Sequence, residues 1–357
     1  MKRAACTLLT VILCTTILSG CSTQSDYSTT LSQSESSIST SAPESEKAQE
    51  SSPAQVLGSI DLATLEHAVH EGSPEVYYTT DISSNGLMAV YEALNRPAVG
   101  ERVAVKISTG EPGGNHFLAP SLIKELVQSV NGTIVECNTA YGGQRTNTAM
   151  HYQVAKDHGF TEIAPVVLLD ESDSMTLPVI GGTHLTENYV GAHFADYDFH
   201  MVLSHFKGHA MGGFGGALKN LSIGYASSMG KSWIHSGGTK TTGIMGDQTA
   251  FLESMAEAAK SVVDAADEKI LYINVMNHLS VDCDCDSNPA EPTMEDIAIL
   301  ASLDPVALDQ ACLDLVYAAP DGQDLIERIE SRNGIRTVEH AAEIGLGSRE
   351  YVLVNAD

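Results

Sequence analysis

The sequence predicts an α/β fold in which a mostly parallel sheet is covered by crossover helices on both faces. Short runs rich in β-branched residues alternate with amphipathic stretches, which is the pattern of strands joined in parallel through helices. No second linker interrupts the pattern, and no internal repeat indicates a solenoid. We therefore expect one domain, at residues 57–357.

Each element of this pattern has a local signal. Strands are predicted at 102–107, 133–137, 165–169, 200–204, 269–275 and 297–301, and helices at 120–130, 146–158, 215–226 and 251–266. The clearest boundary is Asp304 followed by Pro305, because an N-cap side chain meets a proline suited to the first helical position. This helix should reach about Tyr317 and bury Cys312 in the core.

The first residues form a secretion signal with a lipobox. Lys2 and Arg3 precede an apolar run of about 15 residues, shorter than a bilayer-spanning helix, and small residues lead into Cys21. We predict a lipoprotein signal peptide at 1–20, with Cys21 as the lipidated first residue of the mature protein. The protein should then be anchored in the bilayer on the extracytoplasmic side of a cell membrane. An ordinary cleaved signal or an uncleaved anchor helix are the alternatives.

Residues 21–56 are dominated by Ser, Thr, Gln and Glu, with too few apolar side chains to offset the entropy of ordering. We expect a disordered tether. The formal net charge of the chain is −27, which would repel nucleic acid, so nucleic acid is excluded as a partner.

The first candidate site follows the predicted strand at 200–204. His205, Lys207 and His209 lead into a turn that contains Gly213, Gly215 and Gly216, and a helix with Lys219 and Asn220 follows. The end of a parallel strand and the start of a helix are places where ligands collect, because the helix offers unpaired N–H groups to an anion. The glycine spacing matches no nucleotide-binding motif, and the glycines alone fit an ordinary tight turn.

The second candidate is the segment Asp282-Cys283-Asp284-Cys285-Asp286. In an extended segment alternate side chains share a face, so both thiols would point one way and the carboxylates the other. Thiolates with histidine suit zinc or iron, whereas the carboxylate face suits calcium, although the glycine and glutamate of a calcium loop are missing. Mutual pairing of Cys283 and Cys285 is awkward at this spacing. The segment is also compatible with a solvated acidic turn whose thiols have no role.

Two further loops follow predicted strands. One carries His116 and the other carries Arg145. If their strands are parallel, both loops emerge at the sheet edge that carries His205 to Lys219, and a ligand-binding site would be assembled from several loops.

Three segments of this sequence resemble the domain of unknown function 362 family, whose members are often labelled iron-sulfur centre proteins. They are residues 204–221, 282–285 and 301–311, and the Gly-Ala-Leu-Lys-Asn run at 216–220 is the most specific part. Many relatives insert a ferredoxin-type module after the position of Lys231. Residues 231–268 contain no cysteine here, so we expect no ferredoxin-type cluster. The resemblance implies a fold and a site location but no reaction.

The sequence thus supports a metal-binding lipoprotein. His205, His209, Cys283 and Cys285 are the expected ligands of a transition metal such as zinc or iron, and Lys207, Lys219 and Asn220 are candidate catalytic residues. The alternative is a non-catalytic lipoprotein that binds a solute or small anion through Gly213, Gly215, Gly216, His116 and Arg145. A structural protein of the envelope is a third class.

Overall fold

The structure is a computed structural model that describes residues 56–69 and 72–357. The predicted signal peptide, Cys21 and nearly all of the predicted tether lie outside the described residues. Val56, expected as the last tether residue, instead pairs with Asp61 in a short hairpin. The described residues belong to one compact unit. Within them, no helix combines the length and the apolar character needed to cross a membrane.

The order of elements follows the predicted alternation. The strands are β1 (Val56–Leu57), β2 (Ile60–Asp61), β3 (Glu75–Thr79), β4 (Val103–Lys106), β5 (Gly132–Glu136), β6 (Val166–Leu168), β7 (Ser174–Pro178), β8 (Glu187–Gly191), β9 (Phe199–His205), β10 (Lys207–His209), β11 (Gly213–Gly215), β12 (Ile270–Met276), β13 (Ala298–Ser302) and β14 (Val352–Asn355). The helices are α1 (Ser84–Ala93), α2 (Pro120–Ser129), α3 (Thr148–Asp157), α4 (Ala217–Lys219), α5 (Ser228–His235), α6 (Gln248–Ala266), α7 (Pro305–Ala318), α8 (Gln323–Ser331) and α9 (Ile335–Glu343).

Eight strands form the central sheet, in the order β14-β3-β13-β12-β9-β4-β5-β6. The strands from β12 to β6 are parallel to one another, as the fold class predicts. The predicted helices at 120–130, 146–158 and 251–266 correspond to α2, α3 and α6, with ends that differ by up to three residues.

Alternate residues of the strands pack against helices on opposite faces of the sheet. On β4, Val103 and Val105 join an apolar cluster with residues of α1 and α2, whereas Ala104 joins a cluster with residues of α4, α6 and α7. Both faces of the central strands are therefore buried, and the prediction of helices on both faces is confirmed.

The direction of β13 differs from a simple parallel pattern. It is antiparallel to β12, with Tyr272 opposite Ser302. Residues 277–297 join the two strands and contain no helix. Two parallel strands would need a crossover connection, which is usually a helix. The connection therefore stays at the edge where β12 ends, and it carries the Asp282 to Asp286 segment there.

The predicted helix at 215–226 is also altered. It starts as the single turn α4 and continues as a π-helical turn at Asn220–Gly224. Such turns widen the helix by one residue and often lie at functional sites. Here the turn lies beside a cavity.

Candidate functional site

A cavity of about 650 Å³ lies at the edge where β4, β5, β9 and β12 end. Each of these strands is parallel to its neighbour, so the loops that follow them meet at one edge. The loops at 107–119, 137–147, 205–216 and 277–297 all contribute to the wall. The structure thus brings together the loops that the sequence placed at a common edge.

Three lysines line this cavity without a carboxylate partner. Lys106 and Lys231 are buried and Lys219 is partly buried, and within the described residues none of them forms an ion pair within 4.0 Å. Lys106 Nζ donates to the carbonyl of Ile107 and to Asn220 Oδ1, and Lys231 Nζ donates to a carbonyl at 2.6 Å. Charges that leave water without a counter-ion are costly, so this cluster points to an anionic ligand.

Lys219 is the least satisfied of the three. Its ammonium has no hydrogen-bond acceptor among the described residues and lies beside Gly215, where a Cβ atom would meet the Lys219 side chain at 2.9 Å. Burial, together with the positive charges of Arg145, Lys106 and Lys231, lowers the pKa of Lys219 to about 8. Burial likewise lowers the pKa of Lys106 to about 8.

Arg145 occupies another wall of the cavity, and its charge is already balanced. Its guanidinium donates to Glu111 Oε1 and Glu136 Oε1, each at 2.9 Å. Glu136 also contacts His151 Nε2 at 2.8 Å and accepts from Thr109. Arg145 therefore has a structural role, because it ties the loop after β4 to the end of β5. Its ligand-binding role stays a prediction.

His205 does not face the cavity as a free ligand. Its Nδ1 lies 2.8 Å from Asp284 Oδ2 and its Nε2 lies 2.7 Å from the carbonyl oxygen of Asn277, so both ring nitrogens are occupied. Lys207 Nζ donates to Asp284 Oδ1 at 3.0 Å and to the carbonyl of His116. Both His205 and Lys207 therefore hold Asp284 in this structure, and their roles as a metal ligand and a catalytic group stay predictions.

The Asp282 to Asp286 segment is a turn rather than an extended strand. Cys283, Asp284 and Cys285 all line the cavity, and Asp284 is buried. Burial alone would raise the pKa of Asp284, but His205 and Lys207 lower it to about 2. The predicted separation of thiols and carboxylates onto two faces is wrong, because a turn does not alternate its side chains.

Cys283 and Cys285 are joined by a disulfide, although the spacing suggested that pairing would be awkward. The turn brings their Cα atoms to 5.3 Å, which is within the usual range. Cys137 and Cys312 are buried free thiols. Thiolate ligands at Cys283 and Cys285 thus require reduction of this bond.

His209 lies close to the two sulfurs. One ligand atom each from His209, Cys283 and Cys285 lies within 4.8 Å of the others, which is close enough for a shared metal ion. His209 Nδ1 accepts from the N–H of Gly212 at 2.8 Å, so the neutral ring carries its proton on Nε2. Burial, with the positive charge of Lys219 nearby, holds the pKa of His209 well below its usual value.

The start of α4 is closed to an external anion. The carboxylate of Asp309, on α7, accepts from the N–H groups of Ala217 and Leu218 at 2.7 and 2.9 Å. The expectation that this helix start offers free N–H groups is therefore wrong. Gly215 and Gly216 do line the cavity, but Gly213 instead packs against the backbone of Gly334 and is not part of the wall.

Two other predicted residues have positioning contacts. Asn220 donates to the carbonyls of Lys106 and Leu203 and accepts from Lys106 Nζ, so it fixes that lysine against the cavity. His116 lies outside the cavity wall, where its ring contacts Glu291 at 3.2 Å. The predicted ligand-binding role of His116 stays a prediction, because its ring is mostly buried and packs against His278 outside the wall.

Several wall residues escaped the sequence analysis, chiefly Lys106, Lys231, His235, Glu111 and Glu136. Lys106 and Glu136 had a usable signal, because each is a charged residue at the end of an apolar strand. Lys231 and His235 lie on α5, one turn apart, and nothing in their helix distinguishes them from surface residues.

Comparisons with known proteins place the chain as follows. The model of the family described as Domain of unknown function (DUF362) matches residues 103–314. Similar solved structures include the lactate racemase apoprotein from Thermoanaerobacterium thermosaccharolyticum, with 15% identity and a TM-score of 0.39. A protein from Thermotoga maritima has 14% identity and a TM-score of 0.37. No curated protein matches the chain in sequence.

These two structural similarities are partial. The first covers 66% of this chain and 55% of the racemase, and the second covers 77% of this chain and 61% of the Thermotoga protein. The chain therefore spans less than two thirds of either protein.

Proposed function

The chain belongs to the family described as Domain of unknown function (DUF362), and we propose that it is a lipid-anchored extracytoplasmic protein whose cavity binds a small anionic molecule. The observation that carries this proposal is the convergence of Lys106, Lys219 and Lys231 on one cavity without carboxylate partners. A bound carboxylate or phosphate would supply the missing counter-charge.

The contrast with the rest of the molecule strengthens this proposal. The whole chain has a formal net charge of −27, so three lysines without a carboxylate partner inside one concave site are not a by-product of composition. Of the carboxylates that line the cavity, Glu111, Glu136, Asp282 and Asp284 are already held by Arg145, His151, Arg328, His205 or Lys207, and Asp286 is exposed to solvent. An entering anion would therefore meet the three lysines rather than an already neutral network.

The test is a thermal-shift screen of small carboxylates and phosphates. A ligand that binds only the folded protein must raise Tm in proportion to its occupancy. We expect one of these classes to raise Tm of the wild type, and Lys219→Gln to lose that shift. Lys260→Gln is the matched control, because Lys260 pairs with Asp264 on the surface of α6.

Either of two results would refute anion binding: the absence of a shift with both classes, or an equal shift in Lys219→Gln and the wild type. Lys219 is also the candidate that the structure leaves free for catalysis, since Lys207 and Asn220 are held by other residues. The contacts define no reaction for it.

A second candidate function is binding of zinc or iron by His209, Cys283 and Cys285. Its support is the distance of at most 4.8 Å among one ligand atom from each residue. Both sulfurs would have to be reduced, and a metal on His209 Nε2 would require the ring proton to move to Nδ1, at the expense of the Gly212 hydrogen bond. These two requirements make it the second choice.

Metal binding is tested by elemental analysis of the protein after reduction and anaerobic exposure to zinc or ferrous ions. One retained ion per chain, lost in His209→Ala and in Cys283→Ser but kept in His193→Ala, would support it. His193 is a matched control because it lies in a surface contact with Asp196. Retention of less than a tenth of an equivalent by the reduced wild type would rule this candidate out.

A further inference from the structure

The four cysteines in the described residues divide into two pairs with different surroundings. Cys137 and Cys312 are buried, and each sulfur has a hydrogen-bond partner, the carbonyl of Tyr225 and the amide of Asn274 respectively. Cys283 and Cys285 are only partly buried, and their disulfide lines the cavity. A molecule that enters the cavity can therefore reach this bond. Cys312 is not part of the wall, and Cys137, which is, is buried with its thiol donating to the carbonyl of Tyr225.

The two sulfurs of the disulfide are not equivalent. The backbone N–H of Cys285 points to Cys283 Sγ at a distance of 3.3 Å. This donor would stabilise negative charge on Cys283 if the bond opened. Cys283 is therefore the better leaving group, and Cys285 Sγ is the sulfur that an incoming nucleophile should attack.

His209 places a neutral imidazole near the departing sulfur. Its Nδ1 accepts a hydrogen bond from Gly212, so the proton of the neutral ring is on Nε2. Its ligand atom lies within 4.8 Å of both sulfurs. A leaving thiolate at Cys283 is thus stabilised by the Cys285 N–H and lies within 4.8 Å of a His209 ring nitrogen, and it takes its proton from solvent.

The charge of the cavity selects the nucleophile. Lys106, Lys219 and Lys231 line the same cavity as the disulfide, and they favour negatively charged molecules there. We propose that the Cys283–Cys285 disulfide is a thiol–disulfide exchange site for small anionic thiols, an inference that rests on the anion site proposed above.

The exchange balances as follows. The thiolate of the small molecule attacks Cys285 Sγ, a mixed disulfide forms, and the bond to Cys283 Sγ breaks with its electron pair on Cys283. A second small thiol then attacks the mixed disulfide, which releases the symmetrical small disulfide and leaves both cysteines as thiols. Two small thiols are oxidised and one protein disulfide is reduced; the reverse sequence reoxidises the protein with the small disulfide.

The test compares three thiols on the full chain: 2-mercaptoethanesulfonate (anionic), 2-mercaptoethanol (neutral) and cysteamine (cationic). Each is used at equal thiolate concentration, so intrinsic thiol acidity does not decide the result. Differential alkylation and peptide mass spectrometry then follow the opening of the 283–285 bond separately from Cys137 and Cys312. We expect the sulfonate to react about tenfold faster than cysteamine, because the local field of the lysines outweighs the overall charge.

The variants locate the cause of this preference. Lys219→Gln should reduce the ratio of sulfonate to cysteamine rates several-fold, and Lys260→Gln should leave it unchanged. A protein of net charge −27 would on its own attract cysteamine, so a faster reaction with cysteamine overturns the inference. The inference is also overturned if Lys219→Gln has the wild-type ratio of sulfonate to cysteamine rates. Free thiols at both Cys283 and Cys285 in protein purified without reductant would overturn it as well.

A thermal shift with 2-hydroxyethanesulfonate, which has the same charge but no thiol, separates this inference from the proposed function. If it stabilises the wild type and not Lys219→Gln while the thiol preference is absent, the exchange site is refuted and anion binding stands. If neither this anion nor any carboxylate or phosphate binds, the proposed function fails as well.

Discussion

At the scale of single residues, Lys219 is where stability and ligand binding are expected to oppose each other. Its ammonium faces the cavity without an acceptor among the described residues, so the ligand-free protein holds a poorly solvated charge. Lys219→Met should therefore raise the unfolding free energy by about 1 kcal/mol, or Tm by roughly 2 °C. Differential scanning calorimetry without ligand measures this.

Lys124→Met is the control for that gain, because Lys124 is exposed on α2 and its replacement should change Tm little. A lower Tm for Lys219→Met would mean that the ammonium has a stabilising partner in solution.

Glu136 should make the domain sensitive to acid. Burial alone would raise the pKa of this carboxyl, but His151 and Arg145 hold it well below its usual value. The folded protein thus binds this proton more weakly than the unfolded chain, so the stabilisation is complete above pH of about 4.3 and declines as the pH falls below it. Glu136→Gln should lower the unfolding free energy at pH 7 by about 3 kcal/mol and weaken its acid dependence.

Urea unfolding at a series of pH values between 7 and 3 tests this prediction. Glu125→Gln, on the exposed side of α2, should retain the wild-type dependence. The same slope in Glu136→Gln and the wild type would show that other carboxylates control acid unfolding.

The chemistry of individual site residues could be predicted only in part. His209, Lys219, Cys283 and Cys285 were identified from sequence, and they line one cavity. The role of His205 could not be identified, because it depends on Asp284, a residue 79 positions away that the alternation rule placed on the opposite face. Pairings between distant loops leave no trace in a single sequence.

At the scale of elements, α4 depends on a carboxylate from another helix. Asp309 on α7 accepts from Ala217 N–H, Leu218 N–H and the amide of Asn274, and burial raises its pKa to about 6. Asp309→Ala would leave three buried donors unpaired, so the unfolding free energy should fall by about 2–4 kcal/mol. Chemical denaturation gives the value.

Asp309→Asn should cost less than Asp309→Ala, since one acceptor oxygen remains, and Asp264→Ala on the surface of α6 should cost little. If Asp309→Ala were as stable as the wild type, the helix start would have to be satisfied by water instead.

Elements with strong hydrophobic periodicity or a helix cap were predicted well. The direction of one strand and an irregular helical turn were not. Asp304 caps α7 through the N–H groups of Val306 and Ala307, as the sequence predicted. The reversal of β13 accompanies the helix-free connection at 277–297, and the π-helical turn after Lys219 lies against Lys106. Neither has a local sequence signal.

At the scale of the whole molecule, the proposed anchor is the property most directly open to test. Cys21→Ala should prevent lipidation and release the protein from membrane fractions, which immunoblotting of fractionated cells would show. The wild type should stay in the membrane fraction after a high-salt wash, because lipid insertion is not ionic. Retention of Cys21→Ala after that wash would contradict the interpretation of the first 20 residues as a lipoprotein signal.

The disulfide between Cys283 and Cys285 closes a ring of only three residues. A cross-link stabilises a fold chiefly by removing conformations from the unfolded chain, by about 1.6 kcal/mol for three residues against about 3 kcal/mol for fifteen. Opening this bond therefore returns little conformational entropy to the unfolded chain. The native topology does not depend on it, so the protein can persist as two folded redox forms whose cavities differ in chemistry and hardly at all in architecture.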